Sequence, residues 1–351
     1  MNNFKLSCIF KNPCLYILLM VPVLFPVLCC SEPARKEHVL EGSTMGTYYQ
    51  VILADVTLSQ AKTAQNKIIS VLDKINHNLS VFDPLSEVSR FNRIQPQTKF
   101  CPSPEFTEVM RVSYKVYEMT GGAFDPSLGS VIDLWGFGNI KTDIELPGQS
   151  DISDAMQGVG LNKIFMDEQG CLIKSHPDTK LNLSAIVKGY GIDAIAGVLK
   201  EMGIPSYLVD IGGDIYAGKA RPDGSMWKVG ISSPHLRAGS EHLMQILEIE
   251  HEAVATSGDY HNFFVKNGQK YSHIIDPATG QPARQRTFSA TVRAGTCVMA
   301  DALATAMLVM DMDQSLKLAE ESKLFEVLLM GMNGKNKISV HTSPGFYSRG
   351  D

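Results

Sequence analysis

Two oxygen-bearing side chains stand four residues apart in Ala300-Asp301-Ala302-Leu303-Ala304-Thr305, so within a helix they share one face. A carboxylate and a hydroxyl are hard ligands, few enough to leave room for phosphate oxygens and water, which suits Mg2+ rather than zinc or copper. A first-turn aspartate, with a threonine bonding back along its own helix, accounts for the same pair without a metal. Lys188 lies in Leu183-Ser184-Ala185-Ile186-Val187-Lys188-Gly189-Tyr190-Gly191, among small and apolar residues where a helix starts. A helix N-terminus adds partial positive charge and open N–H donors, so a lysine there suits a pyrophosphate; a solvated surface lysine is the competing reading. His273, in Ser272-His273-Ile274-Ile275-Asp276-Pro277, titrates near neutral pH and can act as acid, base or phosphate donor. The Asp276-Pro277-Ala278-Thr279-Gly280 run after it is a turn by composition, with Asp276 as its own capping residue.

Other segments carry less. Ser257 has neither a Gly-x-Ser-x-Gly elbow nor a Ser-x-x-Lys partner, which argues against a serine hydrolase. Gly42-Ser43-Thr44-Met45-Gly46-Thr47 reads by itself as loop geometry before a strand, and Gly136-Phe137-Gly138 lacks the third glycine of a dinucleotide fingerprint.

The elements that must hold these residues follow from period and turn chemistry. Thr47 to Leu53 reads as a strand, and Ile68, Leu72, Ile75 and Leu79 fall on one helical face. Ser103-Pro104 supplies a cap and a first-turn proline for a helix that stops at Gly121-Gly122. From Leu183 the segment runs through a helix that ends near Met202-Gly203, and a strand from Tyr207 to Ile211 meets Gly212-Gly213. Asn267-Gly268 between two apolar runs marks a hairpin, which puts His273 on a strand. Thr296 can cap a helix over Ala300 to Met310, followed by a strand from Phe325 to Met330 and a hairpin at Asn333-Gly334. The pattern is mixed α and β.

The chain of 351 residues is long enough for one large core or two modest ones, and its net charge of −5 shows no basic stripe, which excludes a nucleic-acid partner. Lys5 and Lys11 precede an apolar run, Leu15 to Cys30, broken by Pro22 and Pro26: a signal-peptide pattern over residues 1–30, too short and proline-broken to span a membrane. It ends Val27-Leu28-Cys29-Cys30-Ser31, which resembles a bacterial lipobox. Lipidation at Cys30 puts the small Cys29 before the cleavage site, whereas choosing Cys29 would put bulky Leu28 there; ordinary cleavage after a small residue is the alternative. Residues 31–41 read as a polar tether and 42–351 as the body, in a protein exported to the periplasm and lipid-anchored to a bacterial membrane. Cys101, Cys171 and Cys297 show no metal or redox spacing; they permit at most one disulfide, with the pairing open.

Taken in order, the segments resemble the ApbE family. The resemblance runs through Gly42 to Thr47, Ser86-Glu87-Val88-Ser89-Arg90-Phe91-Asn92, Gly121-Gly122-Ala123-Phe124-Asp125-Pro126 and Leu134-Trp135-Gly136-Phe137-Gly138. It continues through Lys188-Gly189-Tyr190, Asp210-Ile211-Gly212-Gly213-Asp214, Thr256-Ser257-Gly258-Asp259-Tyr260, His273 to Pro277 and Ala300 to Thr305. It implies an α+β body of mixed, largely antiparallel sheets with flanking helices, related to T-folds, with FAD in a cleft between two lobes. Met45 and Phe82 would lie against the dinucleotide, with Phe82 where the family has tyrosine, and Ala123, Phe124 and Asp125 at its adenosine. Asn182, Lys188, His273 and Ile274 would surround the rest. The Ala185 carbonyl, Asp301 and Thr305 would hold Mg2+, and His273 and Asp301 would serve catalysis. The implied reaction moves FMN from FAD to a threonine or serine hydroxyl of a target flavoprotein, with release of AMP. The acceptors that the resemblance implies are flavoprotein subunits of respiratory electron-transfer complexes of the sodium-translocating NADH:quinone oxidoreductase type. FAD hydrolysis to FMN and AMP, and FAD binding without turnover, are the competing readings.

Overall fold

A computed structural model describes residues 35–138, 145–232, 243–260, 262–284, 287–332 and 338–348. The signal pattern, the lipobox cysteines Cys29 and Cys30, and the Asn333-Gly334 turn lie outside the described residues. In chain order, β1 (Lys36–Thr44) and β2 (Thr47–Val56) form a hairpin. Helices α1 (Leu58–Leu79), α2 (Glu87–Arg93), α3 (Pro104–Met119), α4 (Gly129–Leu134) and α5 (Gln149–Met156) follow, then a small hairpin of β3 (Ile164–Met166) and β4 (Leu172–Lys174). Helix α6 (Val187–Glu201) leads into β5 (Tyr207–Ile211), β6 (Asp214–Ala217), β7 (Trp227–Ser232), β8 (Leu243–Ile249), β9 (Glu252–Gly258), β10 (Phe263–Lys266), β11 (Gln269–Ser272) and β12 (Thr287–Ala294). Helices α7 (Cys297–Met307) and α8 (Met312–Ser322) and strands β13 (Phe325–Met332) and β14 (Ile338–Thr342) complete it.

Eight strands form one sheet in the order β1-β2-β5-β6-β9-β12-β13-β14, and every pairing in it is antiparallel. Both faces of its centre are covered, so adjacent residues of one strand enter different cores. Ala253 and Ala255 of β9, and Val327 and Leu329 of β13, join α1, α3, α6 and α7 in the main core. Val254, Leu328 and Met330 face the other way, onto Trp227, Val229, Ile231, Leu247 and Ile249 of the β7–β8 pair. The small residues of β9 and β12 let α7 lie close on the sheet. A third cluster, Leu128, Val131, Trp135, Ile152, Val159 and Ile275, packs with Phe264 and Tyr271 of the β10–β11 hairpin. From Arg35 onward the chain is one compact unit.

Local chemistry explains the boundaries. Met45 and Gly46 both take left-handed conformations (φ 50° and 75°), closing a two-residue β1–β2 turn. Thr57 and Gln60 form a capping box on α1, and Ile68, Leu72, Ile75 and Leu79 are all buried; each such side chain contributes about 1.5–3 kcal/mol relative to exposure. The Ser103 hydroxyl accepts the Phe106 N–H at 3.3 Å ahead of Pro104, and Gly121 and Gly122 end α3 with positive φ. Asn267 and Gly268 (φ 54° and 76°) turn the β10–β11 hairpin.

The structure departs from the sequence reading at three places, and it settles the cysteine pairing. Residues Lys36 to Glu41 belong to β1 rather than to a tether, since they pair with β2 as far as Lys36↔Val56; the polar side chains of an edge strand hide it from hydropathy. His273 falls just beyond β11, which ends at Ser272. Helix α7 begins at Cys297, not Ala300. Cys101 and Cys171 form the disulfide and Cys297 is a buried free thiol.

Candidate active site

The tight Gly212-Gly213 turn (φ 61° and 94°) between β5 and β6 places Asp214 at the first position of β6, with 1% exposure. One carboxylate oxygen of Asp214 accepts the Thr256 N–H of β9 at 3.0 Å, and the other pairs with the Lys188 ammonium at the start of α6. Asp301, on α7 and 3% exposed, accepts the Gly189 N–H at 2.9 Å. One turn further along α7, the Thr305 hydroxyl lies 3.1 Å from that of Ser257 on β9. Four elements of two layers thus bring a cation, two carboxylates and two hydroxyls together.

Burial raises the Asp301 carboxyl to about 6 even though the Lys188 charge pulls it down and the Gly189 N–H stabilises its ionised form. Burial alone would lower the Lys188 ammonium, but Asp301 and Asp214 outweigh it and hold the group above its ordinary value. Lys188 is therefore charged, and two buried carboxylates share it. Burial likewise raises Asp210, whose oxygen accepts the Gly213 N–H at 2.8 Å.

Helix α6 has no side-chain cap at Ile186. Gly189 is the third residue of α6, so its amide has no partner within the helix, and it donates to Asp301 instead. The Ala185 carbonyl, the Asp301 carboxylate and the Thr305 hydroxyl are each hard-oxygen donors, of the kind that could hold a divalent cation completed by phosphate oxygens and water. Among the described residues no group of three or more His, Cys, Asp or Glu side chains is arranged around a metal position.

The remaining sequence candidates divide. Met45 packs against α6 on the main core: a Cβ added at Gly191 would meet its methyl at 2.8 Å. Asn182 lines a cavity of about 180 Å³ with Val81, Asn92, Arg93 and Lys180, and its side-chain oxygen accepts the Ser184 N–H at 3.0 Å. Phe82, beside Val81, is 62% exposed. Ala123 is half-buried and Phe124 buried. Asp125 spends its carboxylate on structure, accepting the Ser127 N–H at 2.8 Å and the Leu161 N–H at 3.3 Å. His273 is held on its own frame: its Nδ1 is 2.8 Å from the Asn262 carbonyl and its ring edges Phe137. Ile274 is buried, and its carbonyl accepts the Ala283 N–H at 2.8 Å.

Sequence reasoning did not select three residues that the structure places here. Asp214 carried a signal in its glycine turn, Asp210-Ile211-Gly212-Gly213-Asp214. Ser257 was weighed only as a nucleophile. Asp193, which binds the first amides of α7, carried none.

A sequence model described as the ApbE family matches residues 45–329. A Vibrio cholerae protein named FAD:protein FMN transferase is 34% identical over 296 residues, covering 84% of this chain and 87% of its own length. A Haemophilus influenzae protein of the same name is 34% identical over 310 residues, covering 86% and 89%. The solved flavin transferase ApbE from Vibrio cholerae matches with a TM-score of 0.81 at 31% identity, over 89% of this chain and 99% of that one. The apo flavinyl transferase ApbE of Pseudomonas stutzeri matches with a TM-score of 0.80 at 28% identity, over 90% and 98%. With its sequence matched across the body and its fold matched across the same span, this chain belongs to the ApbE family.

Proposed function

We propose that this protein transfers FMN from FAD to a threonine or serine hydroxyl of a target flavoprotein and releases AMP, with Mg2+ held by the Ala185 carbonyl, Asp301 and Thr305. The observation that carries the reading is the buried Lys188–Asp214–Asp301 charge cluster beside the Thr305 and Ser257 hydroxyls. A phosphoryl transfer needs little covalent help from the enzyme; it needs fixed charge where the phosphate oxygens become more negative. The bound Mg2+ would supply part of that charge. Lys188 supplies a permanent one, fixed by Asp214, and stands in the first turn of α6, where the helix dipole is positive.

In this reaction an acceptor oxygen bonds to the FMN phosphorus as the pyrophosphate P–O bond breaks, and AMP carries the displaced charge away. His273 takes the acceptor's proton. A carbonyl can only accept, so the bond to Asn262 keeps the proton on Nδ1 and makes Nε2 the basic nitrogen. Two nucleophiles of the chain itself are unsuited: Cys297 is fully buried with its thiol pushed up by burial, and the Ser257 hydroxyl is engaged with Thr305. That supports an incoming hydroxyl from a partner protein, with flavoprotein subunits of respiratory electron-transfer complexes as the acceptor class the family resemblance implies.

Export and a lipid anchor at Cys30 complete the reading; the Cys101–Cys171 disulfide is of the kind that persists in an oxidising compartment. The test of function mixes purified protein with FAD, Mg2+ and a candidate acceptor, and follows AMP together with in-gel flavin fluorescence. Matched AMP and covalent flavin support transfer. AMP with only free FMN would make the protein a hydrolase, and bound FAD without AMP a carrier.

A further inference from the structure

The two helices that carry the site are joined by a carboxylate that belongs to neither the charge cluster nor the donor set. Thr296 precedes α7 yet makes no side-chain bond to it. The first amides of α7, Cys297 N–H and Val298 N–H, donate instead to the two oxygens of Asp193, each at 2.9 Å. Asp193 stands on α6, five positions after Lys188. The bond is answered in the opposite direction: the Gly189 amide of α6 donates to Asp301 of α7 at 2.9 Å. Between these contacts the helices meet backbone to backbone, since a Cβ at Gly189 would come within 2.3 Å of the Cys297 carbonyl oxygen.

From this double tie we infer that Asp193 is a positioning residue: it sets the register of α7 against α6, and so the placement of Asp301 and Thr305 relative to Lys188 and the Ala185 carbonyl. At about 1.5 Å of rise per residue, Asp301 lies about 6 Å and Thr305 about 12 Å along α7 from its tethered start. A tilt about that start therefore displaces Thr305 twice as far as Asp301. A cap supplied by a neighbouring helix does what a cap within α7 cannot: it stabilises the helix only in one position relative to the other ligand-bearing segment. The inference rests on the Mg2+-dependent flavin-transfer reading.

The experiment compares the full chain with Asp193→Asn, which keeps one side-chain oxygen for one amide, and Asp193→Ala, which keeps none. Two quantities are read: the Mg2+ concentration giving half-maximal AMP release from FAD, and the rise in unfolding midpoint that Mg2+ and FAD produce together. Asp193→Ala should raise the half-maximal Mg2+ concentration by about tenfold or more, as for other residues that orient metal ligands. It should also shrink the ligand-induced rise, with Asp193→Asn intermediate on both. Variants that unfold at lower temperature while keeping the wild-type Mg2+ concentration and ligand-induced rise would overturn the inference, because a cap serving stability alone gives that result. If Asp193→Ala fails to fold, Asp193→Asn decides between the same two outcomes. An unmodified protein that forms no covalent flavin would defeat the transfer reading, while the ligand-induced rise still tests Asp193.

Discussion

The α6–α7 pair and the β10–β11 hairpin carry the residues proposed for the chemistry, but they are held in different ways. Lys188 and Asp301 sit on helices pressed backbone to backbone, tied by the Gly189–Asp301 and Asp193 bonds and packed on the small-residue face of the central sheet. His273 follows a two-stranded hairpin whose support is an aromatic stack: Phe264 on Tyr271, Tyr271 on Trp135, and Phe137 beside Phe264 and His273. Trp135 locks that stack by donating its indole N–H to the Gly280 carbonyl at 2.8 Å. Fixed charge against a phosphate demands burial and rigidity, because its strength depends on the excluded water. A proton acceptor needs orientation and access, which a supported hairpin gives.

The contrast can be broken from either side. Asp301→Asn, or removal of Mg2+ by a chelator, should each cut FMN transfer by about a thousandfold, and the two losses should not add, since both remove the same transition-state charge; single-turnover AMP release checks this. Lys188→Ala should lower the rate by about a hundredfold. It should also destabilise the fold by about 3 kcal/mol, because Asp214 would be left as a buried carboxylate without its cation. Adding Asp214→Asn should restore part of the stability in denaturant titrations, Asp301 still lacking the cation, but not the rate. His273→Ala should slow transfer by about a hundredfold while moving stability by less than about 1 kcal/mol, the reverse of the helix-pair pattern. The smallest effect belongs to Thr296→Ala: with no cap bond to lose, it should change stability by less than about 0.5 kcal/mol.

The same division governs what could be read from sequence. Features set within one turn or one hairpin were legible: the Ile68, Leu72, Ile75 and Leu79 face, the Ser103-Pro104 start, the Tyr207–Ile211 strand and the Asn267-Gly268 turn all stand where local chemistry puts them. Lys188 at a helix start and the shared face of Asp301 and Thr305 were legible for the same reason. Contacts made by the fold were not. Asp193 meets Cys297 across 104 residues, and Cys101 meets Cys171 across 70. No periodicity announces either pairing. The start of β1 was missed because an edge strand with polar side chains looks like a linker until its partner is known.

The central claim is that the buried cluster on α6, α7, β6 and β9 performs phosphoryl transfer from FAD. Titrating Mg2+ into the wild-type protein and Asp301→Asn, with FAD and an acceptor present, tests it most directly. The wild type should show a saturating rise in AMP matched by covalent flavin, and the variant should stay flat across the same range. A variant that responds to Mg2+ as the wild type does would contradict the claim.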